Sequence, residues 1–302
     1  MTQATAQSRR HQATLALDAR ATLGECIRWD ERQKLIYWVD IPGRQLHRYD
    51  PATGRDDAMP LAQEMGCFAL AERGGFICGM RSGYARLDRF GGEFTSLASP
   101  DYDPARARFN DGRCDSAGRF WAGTMWEPRD RAGGIVYRLD ADGRFGAQCN
   151  PVIIANGITF APDGRSMTLA DTTNHVLWAF DYDLVTGISS SRRALRSYEP
   201  ASGRPDGACV DAEGNVYVAI MAGGRVEKIS PTGELLALIE LPIPNITCCT
   251  FAGDDLRTLY ITTARTRMTD AELAAHPYAG GLFVWRLPDG DAPGIIEPRY
   301  AG

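Results

Sequence analysis

The chain has 302 residues, of which 44% are hydrophobic and 24% charged, a composition that excludes a disordered chain and allows a sizeable core. The 33 basic and 38 acidic residues give a net charge of −5. We therefore expect no nucleic-acid partner, and the short apolar runs predict no membrane partner. Eight scattered cysteines and the absence of a legible signal peptide predict buried thiols in a cytoplasmic protein.

The predicted elements follow one repeat along the chain. Residues 1–12 are polar and are predicted to be a disordered segment, whereas residues 13–302 are predicted to form one domain. Six polar turns, each followed by β-branched or aromatic residues, recur at a period of roughly 40 to 50 residues, which is the size of a propeller blade. They lie in residues 29–38, 70–79, 115–123, 162–170, 211–219 and 254–262.

Second turns lie between the first ones and complete each repeat. They occur at residues 50–54, 140–143, 181–187 and 230–233. Two hairpins per repeat make a four-stranded sheet, and six such sheets bury their faces when they are arranged radially. The sequence thus predicts an all-β fold, a six-bladed β-propeller.

The two ends of the chain are predicted to close the ring. Strand-like runs at residues 13–17 and 281–287 are expected to pair in one blade. A capping-box pattern from Thr269 to Glu272, followed by apolar residues, predicts one short helix as an insertion.

The repeat also predicts which residues meet on the central axis. Eight residues before the turn glycines Gly118, Gly164 and Gly214 stand Asn110, Asn156 and Asp206. In the first repeat the turn has no glycine, and the equivalent position is Glu25. Equivalent positions in different blades converge in a propeller, so four blades are expected to place a carboxylate or amide on one axis.

A bound cation explains this convergence, because facing buried carboxylates repel each other without a counter-ion. Oxygen-only donors indicate one hard divalent ion, Ca²⁺, Mg²⁺ or Mn²⁺, with Zn²⁺ or Fe²⁺ also compatible. The alternative is turn formation alone, since Asn156-Gly157 and Asp206-Gly207 are ordinary turn sequences. The shared register across repeats favours the central metal site.

Five motifs carry a resemblance that runs from residue 23 to residue 287. They are residues 23–30, 108–125, 156–164, 204–207 and 259–265. Together they resemble the gluconolactonase and regucalcin (senescence marker protein) family. The resemblance implies a six-bladed propeller with one divalent cation and hydrolysis of a small-molecule sugar lactone to its aldonic acid.

The resemblance also implies roles for individual residues. Metal ligation is implied for Glu25, Asn156 and Asp206, with Asp206 doubling as general base. Arg108 and Asn110 match positions that hold substrate hydroxyls or metal-bound water, and Asp111 stands beside them.

Two departures from the family pattern concern the substrate more than the chemistry. Cys26 and Ile27 replace the usual Gly-Pro after the ligand glutamate, and strand alternation predicts that Cys26 is not a ligand. After Thr124 and Met125, only Glu127 remains of a frequent acidic pair, which makes Glu127 a candidate substrate-binding residue.

Three other functions compete with lactone hydrolysis. One is a regucalcin-like calcium-binding regulatory protein, and another is a phosphotriester hydrolase that uses the same metal. The third is a non-catalytic propeller that binds protein partners, which has no need for carboxylates and amides on its axis.

Overall fold

The turns that recur in the sequence connect antiparallel strands, and the computed structural model, which describes residues 8–148 and 152–302, arranges these strands in six sheets. Five of the sheets contain four strands that pair in sequence order, with one additional strand on the fifth sheet, and the sixth sheet takes its outermost strand from the N-terminal part of the chain. The all-β six-bladed propeller predicted from the repeat is confirmed.

The described residues form 25 strands, of which two precede the first blade: β1 (Arg9–Gln12) and β2 (Thr14–Leu17). Blades one to three consist of β3 (Gly24–Asp30), β4 (Leu35–Asp40), β5 (Gln45–Asp50), β6 (Arg55–Pro60), β7 (Met65–Leu70), β8 (Phe76–Met80), β9 (Gly83–Leu87), β10 (Phe94–Ala98), β11 (Ala107–Cys114), β12 (Phe120–Trp126), β13 (Val136–Leu139) and β14 (Phe145–Ala147). Blades four to six consist of β15 (Ala155–Phe160), β16 (Ser166–Asp171), β17 (Val176–Asp183), β18 (Ile188–Ser197), β19 (Arg204–Val210), β20 (Val216–Met221), β21 (Arg225–Ile229), β22 (Leu235–Glu240), β23 (Ile246–Ala252), β24 (Thr258–Thr263) and β25 (Leu282–Arg286).

Both ends of the chain contribute to ring closure. Strand β2 pairs antiparallel with β25 and completes blade six, as the sequence predicted. The predicted disorder of residues 1–12 is wrong for Arg9–Gln12, because β1 pairs in parallel with β22 at the edge of blade five. Residues 1–7 lie outside the described residues. The parallel pairing satisfies backbone groups of an edge strand, a contact that no local pattern in a polar segment reveals.

In two of the recurring turns, an aspartate and a glycine determine the geometry. In the turn of blade three, Oδ1 of Asp115 accepts a hydrogen bond from the backbone N–H of Ala117 at 3.0 Å, and Gly118 N–H donates to the Asp115 carbonyl at 2.9 Å. Gly118 has φ of 76°, a left-handed conformation that glycine adopts without steric cost. Asp211 and Gly214 repeat this arrangement in blade five. The same local chemistry therefore fixes the register of different blades.

The innermost strands surround a central channel. Strands β3, β7, β11, β15, β19 and β23 each contact the innermost strands of both neighbouring blades. Almost every residue in these strands is buried, whereas the outermost strands are largely exposed. An inner strand buries both faces because each face packs against an adjacent blade, so polar side chains in it can face only the channel or another buried group.

The C-terminal segment closes one end of the channel. Gly294 pairs with Asp211 and Tyr300 with Ala71, both in turns that follow innermost strands. Between these anchors, Glu297 contacts two buried arginines of the channel: its Oε2 lies 3.1 Å from Nε of Arg28, and its Oε1 pairs with Arg113. The other end of the channel, where the innermost strands begin, is the end that remains accessible.

The insertion after β24 contains the predicted helix, α1 (Asp270–Ala275), with both capping-box bonds between Thr269 and Glu272 present. Within the two described ranges, the helices lack the length and apolar character needed to cross a membrane. Seven of the eight cysteines belong to those ranges and are buried free thiols, and Cys149 lies outside them.

Candidate active site

Every innermost strand contains a β-bulge close to its first residues. The pairing register shifts after Glu25, Met65, Phe109, Asn156, Pro205 and Ile246. A bulge inserts an unpaired residue and changes the face to which side chains point. At or next to the bulges stand Glu25, Gly66, Asn110, Asn156, Asp206 and Thr247. The repeat register found in the sequence therefore corresponds to a repeated backbone irregularity.

A cavity of about 310 Å³ opens at this end of the channel. Its wall includes the four polar residues predicted from the repeat, Glu25, Asn110, Asn156 and Asp206. Nδ2 of Asn110 donates to Oδ1 of Asn156 at 2.8 Å and to the Ala155 carbonyl at 3.1 Å. Nδ2 of Asn156 donates to Oγ1 of Thr172 at 2.8 Å. Each amide oxygen accepts one hydrogen bond, Oδ1 of Asn110 from Arg108 and Oδ1 of Asn156 from Asn110, and its second lone pair is suited to a cation, whereas the amide nitrogens are donors.

The two carboxylates of this cluster are buried, with Glu25 6% and Asp206 5% exposed. Burial, then repulsion from Asp206 and Asp111, raises the pKa of Glu25 well above its ordinary value. Burial, then repulsion from Asp111, likewise raises the pKa of Asp206. The ionised form of each carboxylate is therefore unfavourable in the metal-free protein, because burial is costly for an uncompensated charge. A bound cation would stabilise that ionised form.

One oxygen of the cluster has no protein partner. Oδ1 of Asp206 is buried and accepts no hydrogen bond from the described residues. In the same ranges, no group of three or more His, Cys, Asp and Glu side chains is placed to hold a metal, so a cation here would depend on amide oxygens as well as on the two carboxylates. This oxygen-only donor set fits a hard divalent cation.

Asp111, predicted to lie beside the substrate, is not among the described residues that line the cavity. Its Oδ1 accepts a hydrogen bond from Gly112 N–H at 2.8 Å, and its Oδ2 accepts one from Ile158 N–H at 3.3 Å. Its Oδ1 also lies 4.0 Å from Nη2 of Arg28. The bulge explains the difference, because Asn110 and its neighbour take different directions. Asp111 acts on the cavity through its charge.

Arg108 and Glu127, both predicted to bind substrate, lie on the cavity wall and belong to one ionic cluster. Nη1 of Arg108 donates to the Phe109 carbonyl and to Oδ1 of Asn110, each at 2.9 Å. Nε of Arg108 lies 3.8 Å from Glu64 and 3.7 Å from Glu127.

A second arginine shares these two acids. Arg81 pairs with Glu64 and lies 2.8 Å from Oε1 of Glu127. Arg81 holds the pKa of Glu127 below its usual value, while burial lowers the pKa of Arg108. The sequence analysis missed Glu64 and Arg81. Glu64 lies two residues before Gly66, which occupies the axial position of the second repeat, and this proximity could have identified Glu64 from the sequence.

Cys26 and Trp126 contact neighbouring protein groups and do not line the cavity. Cys26 Sγ accepts a hydrogen bond from Phe68 N–H at 3.1 Å and lies 3.4 Å from the Phe68 carbonyl. Burial raises the pKa of this thiol to about 12, so it is protonated and poorly suited to bind a metal. The guanidinium groups of Arg106 and Arg131 lie over the Trp126 ring, 4.7 Å and 4.4 Å from its centroid, and Trp126 is absent from the described cavity wall.

Three more arginines lie on the wall and were not predicted from the sequence: Arg129, Arg204 and Arg267. Arg204 belongs to the motif at residues 204–207, which gave a signal for it, whereas Arg129 and Arg267 lie in loops outside the repeat register.

Comparisons with known proteins agree with this architecture. A family model described as SMP-30/Gluconolactonase/LRE-like region matches residues 23–265. A 6-deoxy-6-sulfogluconolactonase from Pseudomonas putida is 44% identical over 283 residues, covering 93% of this chain and 96% of the relative. Regucalcin from Gallus gallus is 36% identical, covering 94% of this chain and 96% of the relative. The crystal structure of a calcium-binding regucalcin from Agrobacterium tumefaciens superposes with a TM-score of 0.92 at 26% identity, covering 98% of this chain and all of that one.

Proposed function

We propose that this chain, which belongs to the SMP-30/gluconolactonase/LRE-like family, hydrolyses a sugar lactone to its aldonic acid in the axial cavity, with Asp206 as general base. The observation that carries the catalytic assignment is the buried, unpartnered Oδ1 of Asp206 on the cavity wall. Sugar lactone hydrolysis is supported by the lactonase from Pseudomonas putida, a relative that matches this chain almost from end to end.

Glu25, Asn156 and Asp206 are the residues that would hold a divalent cation. Such an ion supplies Lewis-acid stabilisation for the negative charge that develops on the lactone carbonyl oxygen, a contribution of about several kcal/mol. The two carboxylates balance its charge, and the amide oxygen of Asn156 adds a neutral ligand whose orientation Asn110 and Thr172 fix.

The reaction adds water to the carbonyl carbon and breaks the bond between that carbon and the ring oxygen. Oδ1 of Asp206 accepts the proton that the attacking water loses, and the proton then passes to the departing ring oxygen, which becomes a hydroxyl group. The product is a hydroxy acid, whose carboxyl group releases the second proton of the water to solvent and becomes a carboxylate.

Arg108 positions the substrate. A guanidinium group has five N–H donors, and the Phe109 carbonyl and Asn110 amide oxygen fix its plane through Nη1. Charge-assisted hydrogen bonds from such a fixed group hold a hydroxyl or the carboxylate that forms. Asn110 keeps both Arg108 and Asn156 in place, which makes it a positioning residue.

The test is acid release from a panel of five- and six-carbon aldonolactones, measured with a pH indicator on chelator-stripped protein to which single divalent ions are added back. We expect turnover above the spontaneous rate that depends on the added ion. Phosphotriester turnover without lactone turnover would overturn the proposal in favour of a phosphotriesterase. Tight and selective Ca²⁺ binding without turnover of either substrate would indicate a regulatory protein.

A further inference from the structure

Three guanidinium groups on the cavity wall form no ion pair with the described residues. Arg129 follows β12 in blade three, Arg204 begins β19 in blade five, and Arg267 follows β24 in blade six. Among the described residues, no carboxylate lies within ion-pair distance of these three side chains. We call them the arginine trio. Arg129 and Arg204 are half-buried and Arg267 is exposed, so the trio extends from the wall to the mouth of the cavity.

The acidic residues of the wall are already committed elsewhere. Glu64 and Glu127 are shared between Arg81 and Arg108, which makes a balanced cluster of two acids and two bases. Glu25 and Asp206 form the donor cluster, whose two charges a divalent cation balances. Glu127 and Asp206 attract Arg129 and Arg204 only at longer range, so among the described residues the trio has no carboxylate of its own when the donor cluster is occupied.

Holding the trio together costs free energy. Burial, followed by repulsion from Arg267, Arg204 and Arg108, lowers the pKa of Arg129. Arg129 and Arg267 also have φ of 58° and 60°, a left-handed conformation that is unfavourable for residues with a Cβ atom. Like charges brought together from separate blades, two of them on strained loops, indicate a binding function that compensates their repulsion.

We propose that the arginine trio binds an oxyanion substituent, a sulfonate or phosphate group, that the substrate carries in addition to its lactone ring. The proposal rests on lactone hydrolysis as the proposed function and specifies the substrate class. Three guanidinium groups from three directions match a tetrahedral anion with three free oxygens. A neutral polyhydroxy lactone has no group that neutralises this charge.

The test compares three lactones on the metal-loaded enzyme: glucono-1,5-lactone, its 6-phosphate and its 6-deoxy-6-sulfonate. We expect kcat/KM to be at least ~10-fold higher for an anionic lactone than for the neutral one, mainly through a lower KM. This advantage should shrink as salt is added, because the mouth is solvent-accessible. The two anionic substrates distinguish sulfonate from phosphate.

Variants assign the preference to the trio. Arg129→Gln and Arg204→Gln should each lower the ratio of anionic to neutral kcat/KM by about 10-fold. Arg73→Gln is the matched control, because Arg73 is an exposed arginine in the turn between β7 and β8 at the opposite end of the channel. It should leave the ratio and the activity unchanged.

Each outcome bears on one claim. Equal turnover of neutral and anionic lactones by the wild-type enzyme overturns the anion subsite and leaves lactone hydrolysis standing. An equal loss of kcat/KM for all three lactones in the variants also overturns the anion subsite, because the trio then acts on the lactone group that all three substrates share. If no lactone is hydrolysed, isothermal titration calorimetry of gluconate and 6-phosphogluconate binding tests the subsite instead. Equal affinity for the two ligands overturns the subsite. Tighter binding of 6-phosphogluconate that Arg129→Gln abolishes supports it.

Discussion

Asp206→Asn separates the catalytic role of this residue from its cost to the fold. The substitution keeps the size of the side chain and removes a buried charge whose Oδ1 has no partner among the described residues. We expect kcat to fall by about 10² to 10⁴-fold, the usual contribution of a general base. Metal affinity should fall as well, because a neutral amide replaces one of two anionic ligands.

The same substitution should stabilise the metal-free protein. Relief of an uncompensated buried charge is worth about 1–3 kcal/mol, which raises Tm by a few degrees in a protein of this size. A divalent ion at 100 times its Kd stabilises the wild-type protein by about 2.7 kcal/mol. The variant gains much less from the ion, so the order of the two melting temperatures should reverse when metal is added.

Differential scanning fluorimetry with chelator and with excess metal, together with acid-release kinetics, measures both effects. Asp142→Asn is the control, since Asp142 is an exposed aspartate in the turn between β13 and β14. Wild-type turnover in Asp206→Asn, or a metal-induced shift in Tm equal to that of the wild type, would refute the assignment of Asp206 as ligand and base.

Three further predictions concern neighbouring groups. Asn156→Ala should lower turnover at limiting metal by at least about 10-fold, with partial recovery at high metal, which a metal titration of the rate measures. Glu127→Gln removes one negative charge beside the arginines, so the ratio of anionic to neutral lactone turnover should rise severalfold in steady-state kinetics. Glu297→Gln leaves Arg113 without a charged partner among the described residues and leaves Arg28 only the more distant Asp111. It should lower the free energy of unfolding at pH 7, measured by urea denaturation, by about 3 kcal/mol. The two arginines lower the pKa of Glu297, so its contribution is present above the unfolded pKa and is lost as the pH falls through the lower folded value.

These three predictions have distinct refutations. Unchanged metal dependence in Asn156→Ala would remove Asn156 from the ligand set, and an unchanged substrate ratio in Glu127→Gln would leave Glu127 only the role of holding Arg81. For Glu297, the control is Glu72→Gln, which breaks an exposed ion pair with Arg32 and should cost less than about 1 kcal/mol. Equal costs for Glu297 and Glu72, or a difference that persists in acid, would contradict the stabilising role of the ion pairs that Glu297 makes with Arg28 and Arg113.

The regular parts of this structure were predictable because local chemistry encodes them. The turn at Asp115–Gly118 specifies its own hydrogen bonds, and equivalent turns recur at the period of a blade. Counting from these turns also located Asn110, Asn156 and Asp206, because the bulges that aim them at the axis stand at a constant distance from the turn. Because the repeats are equivalent, residues at the same position in each repeat lie at the same level of the channel.

Non-repeated contacts could not be predicted in this way. The polar residues Arg9–Gln12 become a strand because β22 offers an open edge, and Asp111 is withdrawn from the cavity by backbone N–H groups of its own and the next blade. Both outcomes depend on contacts with segments that are distant in the sequence, and a local sequence pattern does not specify such contacts.

The sequence by itself determined the blades, the closing strand pair and the residues that face the axis, since these follow from turn chemistry and strand periodicity. Only the tertiary structure decided how the charges are shared. Arg81 pairs with Glu64 and Glu127, and Glu297 pairs with Arg28 and Arg113. The arginine trio forms no ion pair within the described part of the chain. The physical reason is that these groups come from different blades and loops, so their distances exist only after the ring has closed.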